Sequence, residues 1–84
     1  MSKYDVLRHS LAQRAGSRWE TTFEALAALV PGGLPPSAYE HQAWWSNSES
    51  HVQARAWLNA GWRTESTNLN SRSVAFVRRA SRND

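Results

Sequence analysis

The stretch Ser37–Trp62 reads S-A-Y-E-H-Q-A-W-W-S-N-S-E-S-H-V-Q-A-R-A-W-L-N-A-G-W and holds four of the five tryptophans in the 84-residue chain. Two helix starts can be read from it. Ser37, with Glu40 three residues on and Pro36 just before, has the spacing of a capping box. The helix it opens is predicted to run to about Trp45. Ser46-Asn47-Ser48-Glu49 is a polar turn. Ser50 then caps a further helix with Gln53 as its partner, and Ala54, Trp57, Leu58 and Gly61 form the inward stripe. Gly61 ends that helix, with Trp62 just past it.

Downstream, Arg63–Asn68 and Arg72–Arg79 alternate in the manner of strands around a polar turn at Asn70-Ser71. Val74 and Phe76 share one face of the second run, and Ala75 and Val77 take the other. Upstream, a helix starts at Ser2 with Asp5 as capping partner, and Tyr4, Leu7, Leu11 and Ala15 fall on one face before the stop at Gly16. Lys3, Gln13 and Arg14 lie on its solvated side. Arg18–Thr22 is a short extended piece rich in β-formers. Thr21 and Glu24 make another capping box, and the helix after it buries Phe23, Leu26, Ala27 and Val30. Pro31–Pro36 breaks the chain, with Leu34 pinning the loop to the core.

The predicted order is helix, short strand, helix, helix, helix, strand, turn, strand. It describes a helix-rich α+β domain with a C-terminal β-hairpin, winged-helix-like apart from the short helix at Ser37 and the long proline loop. Residues 1–79 form one domain, and 80–84 read as a frayed basic tail. A chain this short relies on large side chains for its core, and tryptophan fills that role.

Charge is uneven. Residues 1–50 carry four Lys/Arg against five Asp/Glu, whereas residues 51–84 carry six arginines against two acids. Nine of the ten cations are arginine, the side chain that forks onto phosphates and guanine edges. A polyanionic partner is the expectation. With no cysteine, disulfides and cysteine-based zinc sites are excluded. The N-terminus lacks the apolar run of a signal peptide, and no stretch approaches a membrane span. The chain is expected to be soluble and cytoplasmic, with no membrane partner.

On the helix after Ser50, His51, Arg55 and Asn59 recur at i, i+4 and i+8. Arginine can bond guanine and asparagine adenine bidentately, while histidine can donate to phosphate or base. Arg63, with Arg72, Arg78 and Arg79 on the hairpin, would extend this stripe along a phosphate backbone. The competing reading is a plain wet helix face. Trp19, Trp57 and Trp62 read as core. Adjacent residues on a helix point about 100° apart, so one of Trp44 and Trp45 is turned partly outward. That pair, with Gln53, admits core packing, a protein contact or stacking on a base.

His41 and His51 match no metal spacing, and no nucleophile, phosphate loop or paired carboxylate is present. No catalysis, cofactor or metal is expected.

The segments Lys3-Tyr4-Asp5, Leu34-Pro35-Pro36-Ser37-Ala38, Ala43-Trp44-Trp45, Asn47, Gln53–Trp62 and Val74–Arg78 together resemble a family of small uncharacterised prokaryotic domains. The likeness covers nearly the whole chain, although the loop before Leu34 is tighter in those relatives than Pro31-Gly32-Gly33 allows here. The resemblance implies a stand-alone intracellular module that also occurs attached to other domains, with no established activity. It implies further that Trp44, Trp45, Gln53, Trp57 and Trp62 belong to one structural or binding unit. The expected function is non-catalytic, regulatory binding of double-stranded DNA. The alternative is a protein-interaction module or homodimer anchored at Trp44-Trp45.

Overall fold

The computed structural model describes residues 2–79, so the tail at 80–84 lies outside the described residues. Its helices are α1 (Asp5–Ala12), α2 (Phe23–Leu29), α3 (Pro36–Glu40) and α4 (Val52–Asn59), with a 3₁₀ turn at Gln42–Trp45. The strands are β1 (Arg18–Thr22), β2 (Trp62–Asn68) and β3 (Ser73–Arg78). They form an antiparallel sheet in the order β1-β3-β2. The α+β class and the C-terminal hairpin therefore stand.

The helix starts differ from the capping-box reading for local reasons. Only α2 carries a side-chain cap, and it is Thr22 rather than Thr21, its hydroxyl accepting from the Ala25 N–H at 3.1 Å. Strand β1 runs on through Thr22 and α2 starts directly at Phe23, so the cap moves on by one. Helix α1 begins at Asp5 after a turn in which Asp5 N–H donates to the Ser2 carbonyl and Tyr4 N–H to the Ser2 hydroxyl. The helix expected over Ser37–Trp45 is broken at His41, whose φ of −128° and ψ of 118° are extended. That break lets Trp45 turn fully inward while Trp44 stays half-buried.

The core is one cluster. Trp57 and Trp62 have 0% exposure and Trp45 has 2%. Trp45 stacks on Phe23 with centroids 4.6 Å apart, and Trp57 meets Phe76 edge-on at 5.6 Å. Each buried indole removes roughly 150–250 Å² from water, a gross gain of about 4–6 kcal/mol. The indole N–H groups are satisfied as well: Trp45 donates to the Ala38 carbonyl (2.8 Å) and Trp62 to the Leu11 carbonyl (2.9 Å).

The outer edge of β2 is plugged by side chains. The Asn47 carboxamide accepts from Thr64 N–H (2.9 Å) and donates to Thr64 C=O (3.0 Å), as a neighbouring strand would. Gln42 donates to the Thr67 carbonyl (2.9 Å). A bulge between Thr64 and Ser66 also bends this edge.

At the hairpin turn, Arg72 adopts φ 55°, a left-handed conformation that costs a non-glycine residue about 1–2 kcal/mol. Its guanidinium lies 5.3 Å from the Tyr39 ring centroid, which offsets roughly 0.5–1 kcal/mol. Arg72→Gly is accordingly expected to leave the melting temperature nearly unchanged. Arg72→Val should lie below it by about 4–8 °C per kcal/mol, because a β-branched residue tolerates this region poorly. Thermal unfolding followed by circular dichroism checks this; a valine variant as stable as the glycine variant would contradict it.

Candidate nucleic-acid interface

Helix α4 is held by its inner side. Trp57 donates its indole N–H to Asn47 Oδ1 (2.9 Å), Gln53 donates to the Trp44 carbonyl (3.0 Å), and Ala54, Ala56 and Leu58 are buried. What remains in solvent is Val52, Arg55 and Asn59, at i, i+3 and i+7. His51 is the N-cap residue and half-buried, its Nδ1 3.4 Å from the Ser46 hydroxyl. The predicted stripe thus survives as Arg55 and Asn59, while His51 leans toward the preceding turn.

Helix α1 packs alongside. A shallow groove of about 170 Å³ runs between the two helices, lined by Tyr4, Asp5 and Arg8 on one side and Val52, Arg55 and Asn59 on the other. Burial pushes the Tyr4 phenol above its ordinary pKa. Arg8 and Arg55 are exposed, with no side-chain hydrogen bond or ion pair among the described residues. Arg8 was not among the residues expected from sequence. Its position on the solvated side of α1 was readable, but its neighbour α4 was not.

The hairpin arginines divide. Arg78 donates through Nε to the Gly16 carbonyl (2.9 Å) and through Nη2 to the Arg14 carbonyl (2.5 Å), with its guanidinium 4.5 Å from the Trp62 ring centroid. Arg79 donates to the Leu58 carbonyl (3.3 Å). Arg79 therefore sits at the C-terminal end of α4, beside a carbonyl that carries partial negative charge, while Arg78 is tied to the loop between α1 and β1. Arg14 joins them rather than standing in solvent: it is half-buried, with its guanidinium 3.7 Å from the Trp19 ring centroid.

Arg63 and Arg72 lie elsewhere. Arg63 alternates with the buried Trp62 and Thr64 and so points from the opposite sheet face. Arg72 precedes β3, at the far end of that strand from Arg78 and roughly 20 Å away at the usual strand rise. The expected continuous row of hairpin arginines is thus split. Strand alternation accounts for Arg63, and strand length for Arg72.

The outer sheet face is close to charge-balanced. Arg18 pairs with Glu20 at 2.9 Å and also with Glu65. Hydrogen bonds to Glu65 first and Glu20 second raise the guanidinium's pKa above its usual value.

Two of the residues read as a possible base or partner contact are spent inside the protein. Trp45 is stacked between Phe23 and Trp57, and the Gln53 amide is 7% exposed with its donor on the Trp44 carbonyl. Trp44 is half-buried, edge-on to Trp45 at 4.7 Å and to Tyr4 at 6.0 Å. Among the described residues no group of three or more His, Asp or Glu side chains is placed to hold a metal ion. No helix among them is long and apolar enough to cross a membrane.

A family model described as "Domain of unknown function (DUF7662)" matches residues 4–80. Neither a search of curated proteins nor one of solved structures found a match.

Proposed function

The chain belongs to this family of domains of unknown function, and from that premise we propose that it is a non-catalytic, regulatory module that binds double-stranded DNA. Binding runs through the flank where α1 and α4 meet. Arg55 and Asn59 approach a groove, and Arg8, Arg78 and Arg79 lie along phosphates.

One observation carries the reading. The unpaired guanidiniums of Arg8 and Arg55 line one groove, with Arg79 at the end of α4 and with Arg14 and Arg78 at the loop that follows α1. Asp5 is the one carboxylate lining that groove, whereas Glu20 and Glu65 are tied to Arg18 on the other side of the sheet. Such segregation is the footprint of a polyanion site. The element order adds support. A helix ahead of a C-terminal hairpin, with β3 central in the sheet, resembles the winged-helix order with one short helix added. In helix-turn-helix relatives of that arrangement the corresponding helix enters the major groove. A protein-interaction module is the second reading; with the Trp45 ring interior, half-buried Trp44 is the indole of that pair left to serve as its anchor.

Fluorescence anisotropy with a labelled duplex tests the proposal. Arg55→Ala is expected to cost roughly 1–3 kcal/mol if Arg55 reads guanine, and Arg8→Glu with Arg55→Glu should abolish binding at moderate salt. With Arg8, Arg78 and Arg79 on phosphates, the slope of log K against log salt should be about −3, since each phosphate neutralised contributes roughly −0.9. Arg63→Glu and Arg72→Glu should change affinity much less. Equal losses at all four positions, or no wild-type binding at micromolar protein, would overturn the reading.

A further inference from the structure

The two edges of the sheet are treated differently. Asn47 and Gln42 occupy the outward backbone groups of β2, but nothing comparable covers β1 among the described residues. Arg78 N–H donates to the Ser17 carbonyl and Phe23 N–H to the Arg72 carbonyl, each at 2.9 Å. Residues that bond to a given antiparallel neighbour alternate with residues turned away from it. Trp19 and Thr21 therefore bond to β3, and Arg18 and Glu20 turn their N–H and C=O groups to the open edge. Both residues are exposed.

An open edge is a template for another strand unless its side chains repel one. Here the two outward-bonding residues carry opposite charges, and that limits which strand fits. We propose that β1 pairs with β1 of a second copy of this chain, antiparallel about a two-fold axis at Trp19. In this register Arg18 lies opposite Glu20 of the second copy, and Glu20 opposite its Arg18. All four outward backbone groups of each strand find partners. The registers shifted by one residue pair to either side set Arg18 against Arg18 or Glu20 against Glu20, and like charges directly opposite are destabilising. The sequence of β1 thus selects a single self-pairing.

The same register places the two Trp19 rings side by side as a non-hydrogen-bonded pair, where cross-strand side chains approach closest. Trp19 is only half-buried in one copy, stacked on Phe76 at 5.9 Å. The second copy covers its remaining surface. The result is one continuous six-stranded sheet. An interface of one short edge is small, so the dimer dissociates in the micromolar-to-millimolar range.

Sedimentation velocity across that range tests the proposal. The wild-type protein should dimerise with concentration. Glu20→Lys and Arg18→Glu should each weaken dimerisation about tenfold or more, because each sets two like-charged pairs across the axis. An equimolar mixture of the two variants should dimerise. The lysine introduced in one chain then faces the glutamate introduced in the other, and the retained Arg18 faces the retained Glu20. Circular dichroism establishes that both variants are folded. Amide exchange in the unsubstituted protein gives a second reading: protection at Arg18 and Glu20 should rise with concentration. A wild-type chain that stays monomeric at millimolar concentration, or a dimer insensitive to both charge changes, overturns the proposal.

Discussion

Trp57→Ala is expected to lower the free energy of unfolding by about 5 kcal/mol, at the upper end of the range for truncating a large aromatic core residue. The Trp57 side chain has no exposed surface and lies against Trp45 (6.1 Å between centroids), Trp44 (6.3 Å) and Phe76 (5.6 Å). No neighbour is free to collapse into the space, since Trp45 and Phe76 are held by their own packing and register. A chain of this length has a net stability of roughly 4–13 kcal/mol, so the loss removes a large share of it. Trp57→Phe keeps part of the ring and should cost roughly half as much. Chemical denaturation followed by far-ultraviolet circular dichroism measures both, independently of indole fluorescence. A loss under about 1 kcal/mol for the alanine variant would mean that the aromatic cluster is not what holds α4 to the sheet.

Asn47→Ala should have the next largest effect, about 2–4 kcal/mol, although Asn47 itself lies near the surface. Its Oδ1 accepts from Trp57 Nε1 (2.9 Å), Thr64 N–H (2.9 Å) and the Thr64 hydroxyl (3.1 Å), and its amide donates to Thr64 C=O (3.0 Å). Alanine leaves the buried indole N–H without an acceptor and uncovers the β2 edge. The two effects separate in a double-mutant cycle. In a Trp57→Phe background there is no indole N–H to strand, so the cost of Asn47→Ala should fall by about 1 kcal/mol or more. Additive costs would show that Asn47 acts through the strand edge alone. The uncovered edge should also make the alanine variant more prone to aggregate.

The apolar periodicity made much of the fold legible before any coordinates. Tyr4, Leu7 and Leu11, then Phe23 and Leu26, then Ala54, Trp57 and Leu58 are buried as their spacing required. Val74 and Phe76 likewise share the inner face of β3. Capping was less legible because each cap residue has rivals for its hydrogen bonds. Ser50 bonds to the Ser48 hydroxyl instead of capping α4, and Gln53 is drawn inward to the Trp44 carbonyl. Pro35 and Pro36, whose φ values suit a helix entrance, begin α3 in place of Ser37.

The candidate site was legible residue by residue but not as a surface. Arg55 and Asn59 could be read as exposed from α4 alone. That Arg8 is their neighbour depends on how α1 crosses α4, which no local pattern encodes. Arg63 and Arg72 were separated from the rest by strand alternation and strand length. The ties of Arg79 to the end of α4 and of Arg78 to the loop after α1 required the sheet and both helices to be in place together.

The claim that the α1/α4 flank meets duplex DNA is tested most directly by titrating the ¹⁵N-labelled protein with a short duplex at low salt and recording amide shifts. The account predicts shifts concentrated at Arg8, Arg55, Asn59 and Arg79, fading as salt rises, with Arg63 and Arg72 nearly still. Shifts gathered on the outer sheet face around Glu20, Arg63 and Ser66, or none at all at saturating duplex, would contradict it.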